Sequence, residues 1–359
     1  MAARGCELPA DLVPLILEAI DNWWSRDLAA LSTLSSTWSF YVSKKLYAYP
    51  VLQTFSAIRL LARTLSASPL LPSLVKGLYL QPTGGTQCRR PSSEELSGLR
   101  ILLGLEGLRR LTLGGELSVK ADRFLRLILS PETVEELHID GSLLSNNLTC
   151  RPSFEWDESL AFGFASLSKL RLTATELDIN PRSIPYPSTI QYLVLEHVHI
   201  ISGYLPQLFI GSESLERLQI LTNDSADMMR QLDLTLACCA VRCLMYETQK
   251  DDASNFIPDM SSSSAEALRC LHIKGLSVDA SLLSLLRNKC RNLVELHVSG
   301  RGVRVSPREW AEFIELGALP SLRVVGLPLG TNYPPFSVWT ESARNEIAEA
   351  CGRRGIAIM

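Results

Sequence analysis

The sequence is short of net charge, of histidine and of long apolar runs, and each shortage excludes something. Across 359 residues, 35 Lys and Arg face 38 Asp and Glu, leaving a formal net charge of −3. Such a balance offers no overall electrostatic hold on nucleic acid or on an anionic membrane surface. No apolar stretch reaches the roughly 18 residues that read as a membrane span. The opening MAARGCELPADL has no basic region followed by an apolar core, so export is not expected. A GxxxxGK phosphate loop, a GxGxxG dinucleotide turn and a GxSxG nucleophile elbow are all missing. The 9 cysteines are odd in number and irregular in spacing. That favours free thiols in a reducing compartment over a disulfide framework. The sequons at Asn147 and Asn223 are then idle. Cys238, Cys239 and Cys243 sit close together, but no second pair follows at finger spacing, so zinc is not expected there.

What the chain does have is apolar residues in a recurring phrase. Hydrophobic residues make up 46% and charged residues 20%, the composition of a folded chain with a sizeable core. From Leu78 onward one pattern returns: apolar, two free residues, apolar, one free residue, apolar. It reads VKGLYL, LRRLTL, VEELHI, LSKLRL, IQYLVL, LERLQI, VRCLMY, LRCLHI, LVELHV and LRVVGL. The middle anchors are Leu78, Leu111, Leu137, Leu170, Leu193, Leu218, Leu244, Leu271, Leu296 and Val325. Their spacings run 33, 26, 33, 23, 25, 26, 27, 25 and 29. A chain this rich in Leu, Ile and Val yields several such phrases by chance, so the regular interval is what carries weight. Over about residues 73 to 330 the chain resembles a leucine-rich repeat protein, whose period is about 20 to 29 residues. The Asn or Cys that usually follows the phrase is mostly absent, so an irregular array is expected.

The resemblance implies an α/β fold: an irregular solenoid, with a ladder of parallel strands and helices on its outer side. Period-two anchors point into the core, and the residues between them face solvent. Residues 120–130, 225–239, 279–290 and 307–317 read as return helices. Inserts at 81–98, 141–159 and 247–266 are dense in Pro, Gly and Ser and read as surface loops. The Ser run at 261–264 reads as loop. Residues 331–359 read as a C-terminal cap: a helix, a stop at Gly352 and a last short strand.

Residues 7 to 50 do not share the repeat phrase. Helices are expected at about 11–21, 26–34 and 36–48, with Ser25 capping the second and Ser35 or Ser36 the third. Pro14 is expected to delay the first helix, because proline beyond the first turn removes a hydrogen bond. Leu8-Pro9, Leu12, Ile16-Leu17, Asp27-Leu28, Leu34 and Trp38 carry a resemblance to an F-box, and Leu46-Tyr47 continues as fungal-type F-box chains do. The resemblance implies a three-helix F-box at 5–50, followed by a helical linker or cap at 51–72. It implies docking to a Skp-type adaptor and, through it, to a cullin. Leu8, Pro9, Leu12, Ile16 and Leu31 would form the adaptor-binding face. Trp38 is expected to lock the third helix onto the other two. Trp23 and Trp24 are expected to cover either the adaptor or the first repeat, the structural role being favoured.

The implied function is the substrate-recognition subunit of an SCF-type ubiquitin ligase, cytoplasmic and/or nuclear, without catalysis or cofactors of its own. A protein target would lie on the concave strand surface, touched by Tyr79, His138, Arg171, Tyr192, Arg217, His272 and His297. The mixed sign of the outward residues gives no pointer to a phosphorylated target. His138, His272 and His297 take the same slot in three repeats and are expected to be exposed. A metal site is not expected, although His272 and His297 fall in adjacent strands. Arg110, Arg171 and Arg217 also face outward, but no phosphate cradle accompanies them, so a catalytic arginine is not expected. The other reading is a non-ligase repeat scaffold whose N-terminal helices merely cap the open end.

Overall fold

The computed structural model describes residues 8–19, 23–83, 91–145, 150–180, 188–209, 214–223, 225–249, 256, 258–300, 303–328 and 338–359. Three short helices open the chain: α1 (Leu12–Glu18), α2 (Ser25–Ser32) and α3 (Ser36–Ala48). Pro14 stands third in α1. The first turn of a helix has no intrahelical partner for its N–H groups, so proline costs little there. Ser25 is the first residue of α2 rather than its cap; the cap position is Trp24, with no side-chain bond. Ser35 does cap α3, its hydroxyl accepting from the Trp38 N–H at 3.3 Å. Val13, Leu17, Leu28 and Val42 form a small core of their own. Trp23, Leu31, Trp38, Tyr41 and Leu46 pack around it. This core is separate from the large one that fills the rest of the chain.

The amphipathic helix α4 (Phe55–Ala67) buries Phe55, Ile58, Ala62 and Leu65 in the large core. Beyond it the fold is mixed α/β around a large parallel sheet. The strands in chain order are β1 (Val51–Leu52), β2 (Gly77–Leu80), β3 (Arg110–Gly114), β4 (Glu136–Asp140) and β5 (Ser153–Trp156). Next come β6 (Lys169–Thr173), β7 (Glu176–Ile179), β8 (Tyr192–Glu196), β9 (His199–Ser202) and β10 (Ser214–Thr222). The last are β11 (Ala240–Thr248), β12 (Cys270–Lys274), β13 (Glu295–Ser299), β14 (Val324–Gly326) and β15 (Ala357–Ile358). Twelve of them form one sheet in the order β1-β2-β3-β4-β6-β8-β10-β11-β12-β13-β14-β15. Each of the ten phrases is a strand of this sheet. Their middle anchors stand in one unbroken register, from Leu78 beside Leu111 through to Leu296 beside Val325. All ten anchors are buried. An in-register row of leucines places each side chain against two like neighbours, and such stacking buries what one strand cannot bury alone.

The chain returns between strands through α5 (Ser93–Leu103), α6 (Asp122–Leu125), α7 (Glu158–Gly163), α8 (Ser225–Cys238), α9 (Ser262–Ala267), α10 (Ala280–Lys289) and α11 (Pro307–Glu315). With α12 (Glu341–Arg354) these make twelve α-helices among the described residues. Of the four expected return segments, 120–130 contains only the short α6. Helices α5, α8, α10 and α11 bury Leu99, Leu232, Leu286 and Trp310 in the same core as the strand anchors. The core therefore lies between the sheet and its helices, and the sheet's other face is open to solvent. Among the described residues no helix is long and apolar enough to cross a membrane.

Five expectations need correction. The insert at 141–159 is not all loop: β5 pairs with β7 and β7 with β9 in a second, three-stranded parallel sheet. Phe154 and Trp156 of that insert are buried. The insert at 81–98 contributes the start of α5, opened by a Ser92–Glu95 capping box. The insert at 247–266 contributes α9, and its Phe256 and Met260 are buried. Residues 84–90, 146–149, 250–255 and 257 of these inserts lie outside the description. The Ser run is not loop: Ser261 caps α9, while Ser264 is buried with its Oγ 2.5 Å from Leu236 O and 2.7 Å from Cys239 O. Finally, α12 runs through Gly352 and stops at Gly355, which adopts φ +66°. A left-handed residue ends a helix with little strain only when it lacks a Cβ. The last strand follows as expected, with β15 paired to β14.

Candidate functional site

Helix α1 has apolar residues on two faces. Val13 and Leu17 stand four apart and point into the small core, 1% and 3% exposed. Leu12, Leu15 and Ile16 occupy the spacing i, i+3, i+4 and define the other face. Leu12 is 41% exposed, Leu15 58% and Leu8, just before the helix, 43%. Pro9 is exposed and Ile16 half-buried. A helix with two apolar faces needs two partners to cover it, and the described residues supply one. The inner face is held firmly: the Leu17 carbonyl accepts from Trp23 Nε1 at 3.1 Å and also from Lys45 Nζ. Leu31 is half-buried against the small core. Trp38 and Trp23 pack on that core, whereas Trp24 stands 69% exposed with the Arg26 guanidinium 5.5 Å from its ring. Leu15 was not singled out from sequence. Its position three residues after Leu12 was the available signal.

The second feature is a groove of about 720 Å³ on the open face of the sheet. It gathers five of the seven expected target residues: Tyr79, His138, Arg171, Tyr192 and Arg217. Period-two alternation puts them there, one each on β2, β4, β6, β8 and β10 of the in-register sheet. Four cations line it, Arg110, Lys169, Arg171 and Arg217, against the single carboxylate of Glu136. The groove is thus locally basic, where the sequence had suggested mixed sign.

Its cations are already engaged. Glu136 lies 3.3 Å from Arg110 and 2.7 Å from Lys169. Arg110 also covers the Tyr49 ring at 5.4 Å, and Lys169 the Tyr192 ring at 5.7 Å. One nitrogen of Arg171 donates to both oxygens of Glu196, at 2.9 and 3.0 Å. Thr173 donates to Glu196 at 3.2 Å, so its hydroxyl oxygen receives the His138 Nε2–H at 3.1 Å. Burial and the nearby Arg171 hold His138 below the usual histidine range, against the pull of Asp140 and Glu196. Burial, then the Asp140 charge, pushes the Tyr79 hydroxyl up. Arg217 differs. Its Nη2 rests 2.8 Å from Met245 Sδ, and its buried Nε has no hydrogen-bond partner among the described residues. A buried donor left without a partner costs about 1–3 kcal/mol, so this atom favours an incoming acceptor.

His272 and His297 lie beyond the groove, on adjacent strands β12 and β13. All three slot histidines are half-buried rather than exposed. The His272 and His297 rings stand 4.2 Å apart between centroids. Both present Nε2 to one oxygen of Glu295, at 3.0 and 2.8 Å. Burial works to raise the Glu295 carboxyl, but the bonds from His297 and the charge of His272 hold it below its usual range. As a carboxylate it can only accept, so both rings carry their proton on Nε2. Burial, then repulsion from His297, lowers His272. Beside them, burial and the neighbouring Cys243 and Glu295 push the Cys270 thiol up to about 12. Sequence reading did not pair Glu295 with the two histidines. The signal was its place two residues before His297, in a strand whose neighbour carries Cys270 two residues before His272.

Neither a family model nor any curated protein matches this chain.

Proposed function

We propose that the chain is the substrate-recognition subunit of an SCF-type ubiquitin ligase, performing no covalent chemistry itself. In this reading α1 to α3 are an F-box, and the sheet with its return helices is an irregular leucine-rich repeat solenoid. The observation that carries it is the outer apolar face of α1, with Leu8, Leu12 and Leu15 exposed on a unit that already has its own core. A helical unit serving only as a cap would spend its apolar residues on the sheet's open end. Here the buried residues of α1 face α2 and α3 instead. A stable interface typically buries about 1,600 Å², with a few apolar anchors worth about 2 kcal/mol or more each, and Leu8, Leu12 and Leu15 would be such anchors for a Skp-type adaptor.

The groove is the target site in this reading. Its four cations outnumber the two carboxylates that engage three of them, Glu136 and Glu196, and with the Arg217 Nε, unpartnered among the described residues, they favour an acidic segment of the target. Fixing that segment on a rigid sheet promotes transfer by proximity, since a bound lysine meets the ubiquitin carrier far more often than a free one. The test is co-purification with the Skp adaptor, repeated with Leu8→Ala and Pro9→Ala together. A complex formed by the unmodified chain and lost in the double variant supports the reading. No complex with the unmodified chain removes it.

A further inference from the structure

The far end of the open sheet face holds a compact set of nitrogen, oxygen and sulfur donors. Residues i and i+2 of a strand share a face, and parallel neighbours in register sit side by side. Cys270 and His272 on β12 therefore stand directly beside Glu295 and His297 on β13. Among the described residues, His272, Glu295 and His297 bring three ligand atoms within 4.8 Å of one another. Cys270 Sγ lies just outside this trio, 3.5 Å from the second oxygen of Glu295, so it reaches a shared ion only by turning its side chain.

We propose that His272, His297, Glu295 and Cys270 form a binding site for a divalent transition-metal ion of the zinc class. A tetrahedral ion with ordinary bond lengths sets its ligands about 3.3 Å apart for N···O and about 3.5 Å for S···O. The two histidine–carboxylate pairs here stand at 3.0 and 2.8 Å on one oxygen of Glu295, so the two rings need to draw back from it by only a few tenths of an ångström. The donor set selects the metal: two imidazoles, a carboxylate and a thiol suit Zn²⁺ or Co²⁺, not Mg²⁺ or Ca²⁺. The charges also close. On coordination Cys270 releases one proton to solvent, and each ring keeps its proton by moving it from Nε2 to Nδ1. Thiolate and carboxylate then balance the two positive charges of the ion. Among the described residues, Arg217 lies two strands away on β10 against Met245, and Lys274, two residues after His272 on β12, pairs with Glu247 at 2.6 Å.

A second observation shows that the neighbouring backbone is shaped around this pair. Gly326 on β14 is the register partner of His297. A Cβ built there would lie 2.2 Å from His297 Nδ1. Glycine inside a strand costs stability, and it marks a place where another group comes close. Here it makes room for the ring that shares Glu295. Side-chain exposures of 27% for His272, 30% for Glu295 and 22% for His297 leave the ligand atoms reachable from solvent.

The inference does not depend on whether the N-terminal helices dock an adaptor. It is tested on the reduced full chain with Zn²⁺ alone by calorimetry, and with Co²⁺ alone by absorption. The expected result is one ion bound through this site, an intense tetrahedral Co²⁺ band in the visible, and a thiolate-to-cobalt band in the near ultraviolet. His272→Ala with His297→Ala should weaken binding more than about 100-fold, and Gly326→Ala about 10- to 100-fold by displacing a ligand without removing it. Cys270→Ser should abolish the thiolate band. Should the double variant fold poorly, the isosteric Glu295→Gln replaces it. Zn²⁺ binding unchanged in Glu295→Gln and Gly326→Ala, a Co²⁺ spectrum of octahedral type, or no binding above that of Mg²⁺ each overturns the assignment.

Discussion

Replacing Leu17 and Leu15 by alanine, one at a time, separates the two faces of α1. Leu17 is 3% exposed and Leu15 58%, though they are two residues apart on one helix. The fully buried part of the small core consists of Val13, Leu17, Leu28 and Val42. Truncating a sealed leucine typically costs about 2–5 kcal/mol, and the cost rises with the cavity that remains. Trp23 and Lys45 both bind the Leu17 carbonyl, so the backbone there is held and cannot easily collapse into the gap. About 3 kcal/mol is therefore expected for Leu17→Ala. An exposed side chain with no such role changes stability by about 0.5 kcal/mol or less, which is the expectation for Leu15→Ala. Because the small core is separate from the large one, the loss should be local. Hydrogen exchange is the assay. Leu17→Ala should speed exchange at amides of α1, α2 and α3, and leave β10 to β13 protected as before. Equal losses from the two substitutions would refute the two-faced reading. So would a loss of protection that spreads evenly into the sheet.

Other outcomes follow from single side chains. Ser264→Ala removes a buried hydroxyl from two backbone carbonyls, and should lower stability by about 1–3 kcal/mol in chemical denaturation. Asp157 caps α7 through the Leu160 N–H at 2.9 Å and meets Arg126 at 2.5 Å. Burial raises its carboxyl, but these bonds outweigh burial and hold it below the usual range. A lowered carboxyl stabilises fully above its unfolded value of about 3.9, and that contribution disappears as pH falls through the folded value. Asp157→Ala should cost about 1 kcal/mol at neutral pH. The gap from the unmodified chain should narrow below about pH 4 in melts across that range. A gap that stays constant into acid would show that the charge contributes nothing.

The ten strands of the large sheet were legible because two weak signals coincide at each. The alternation gives the face, and the recurring interval gives the neighbour. Leu78 to Val325 then follow as one row. The second sheet was not legible, because its strands are four residues long and set among loop-forming residues. Ser153–Trp156 follows Cys-Arg-Pro, and only the burial of Phe154 and Trp156 against the core betrays it. The end of α12 was misread for a related reason. Gly352 and Gly355 look alike in sequence, and only the positive φ of Gly355 distinguishes the stop from a helical position. On the open face, alternation predicted which residues point outward but not how they pair. Glu136 and Glu196 engage Arg110, Lys169 and Arg171 across strands, and such pairing depends on register rather than on local sequence. The same register brings Glu295 between His272 and His297, residues that sequence spacing alone leaves in different repeats.

The most direct measurement is hydrogen exchange of the intact chain with and without saturating Skp-type adaptor. The account predicts slowed exchange confined to the segment from Leu8 through Ile16 and its neighbours in α2, with β2 to β14 unchanged. Absence of any adaptor-dependent protection, or protection falling on the sheet strands while the α1 amides stay as fast as before, contradicts it.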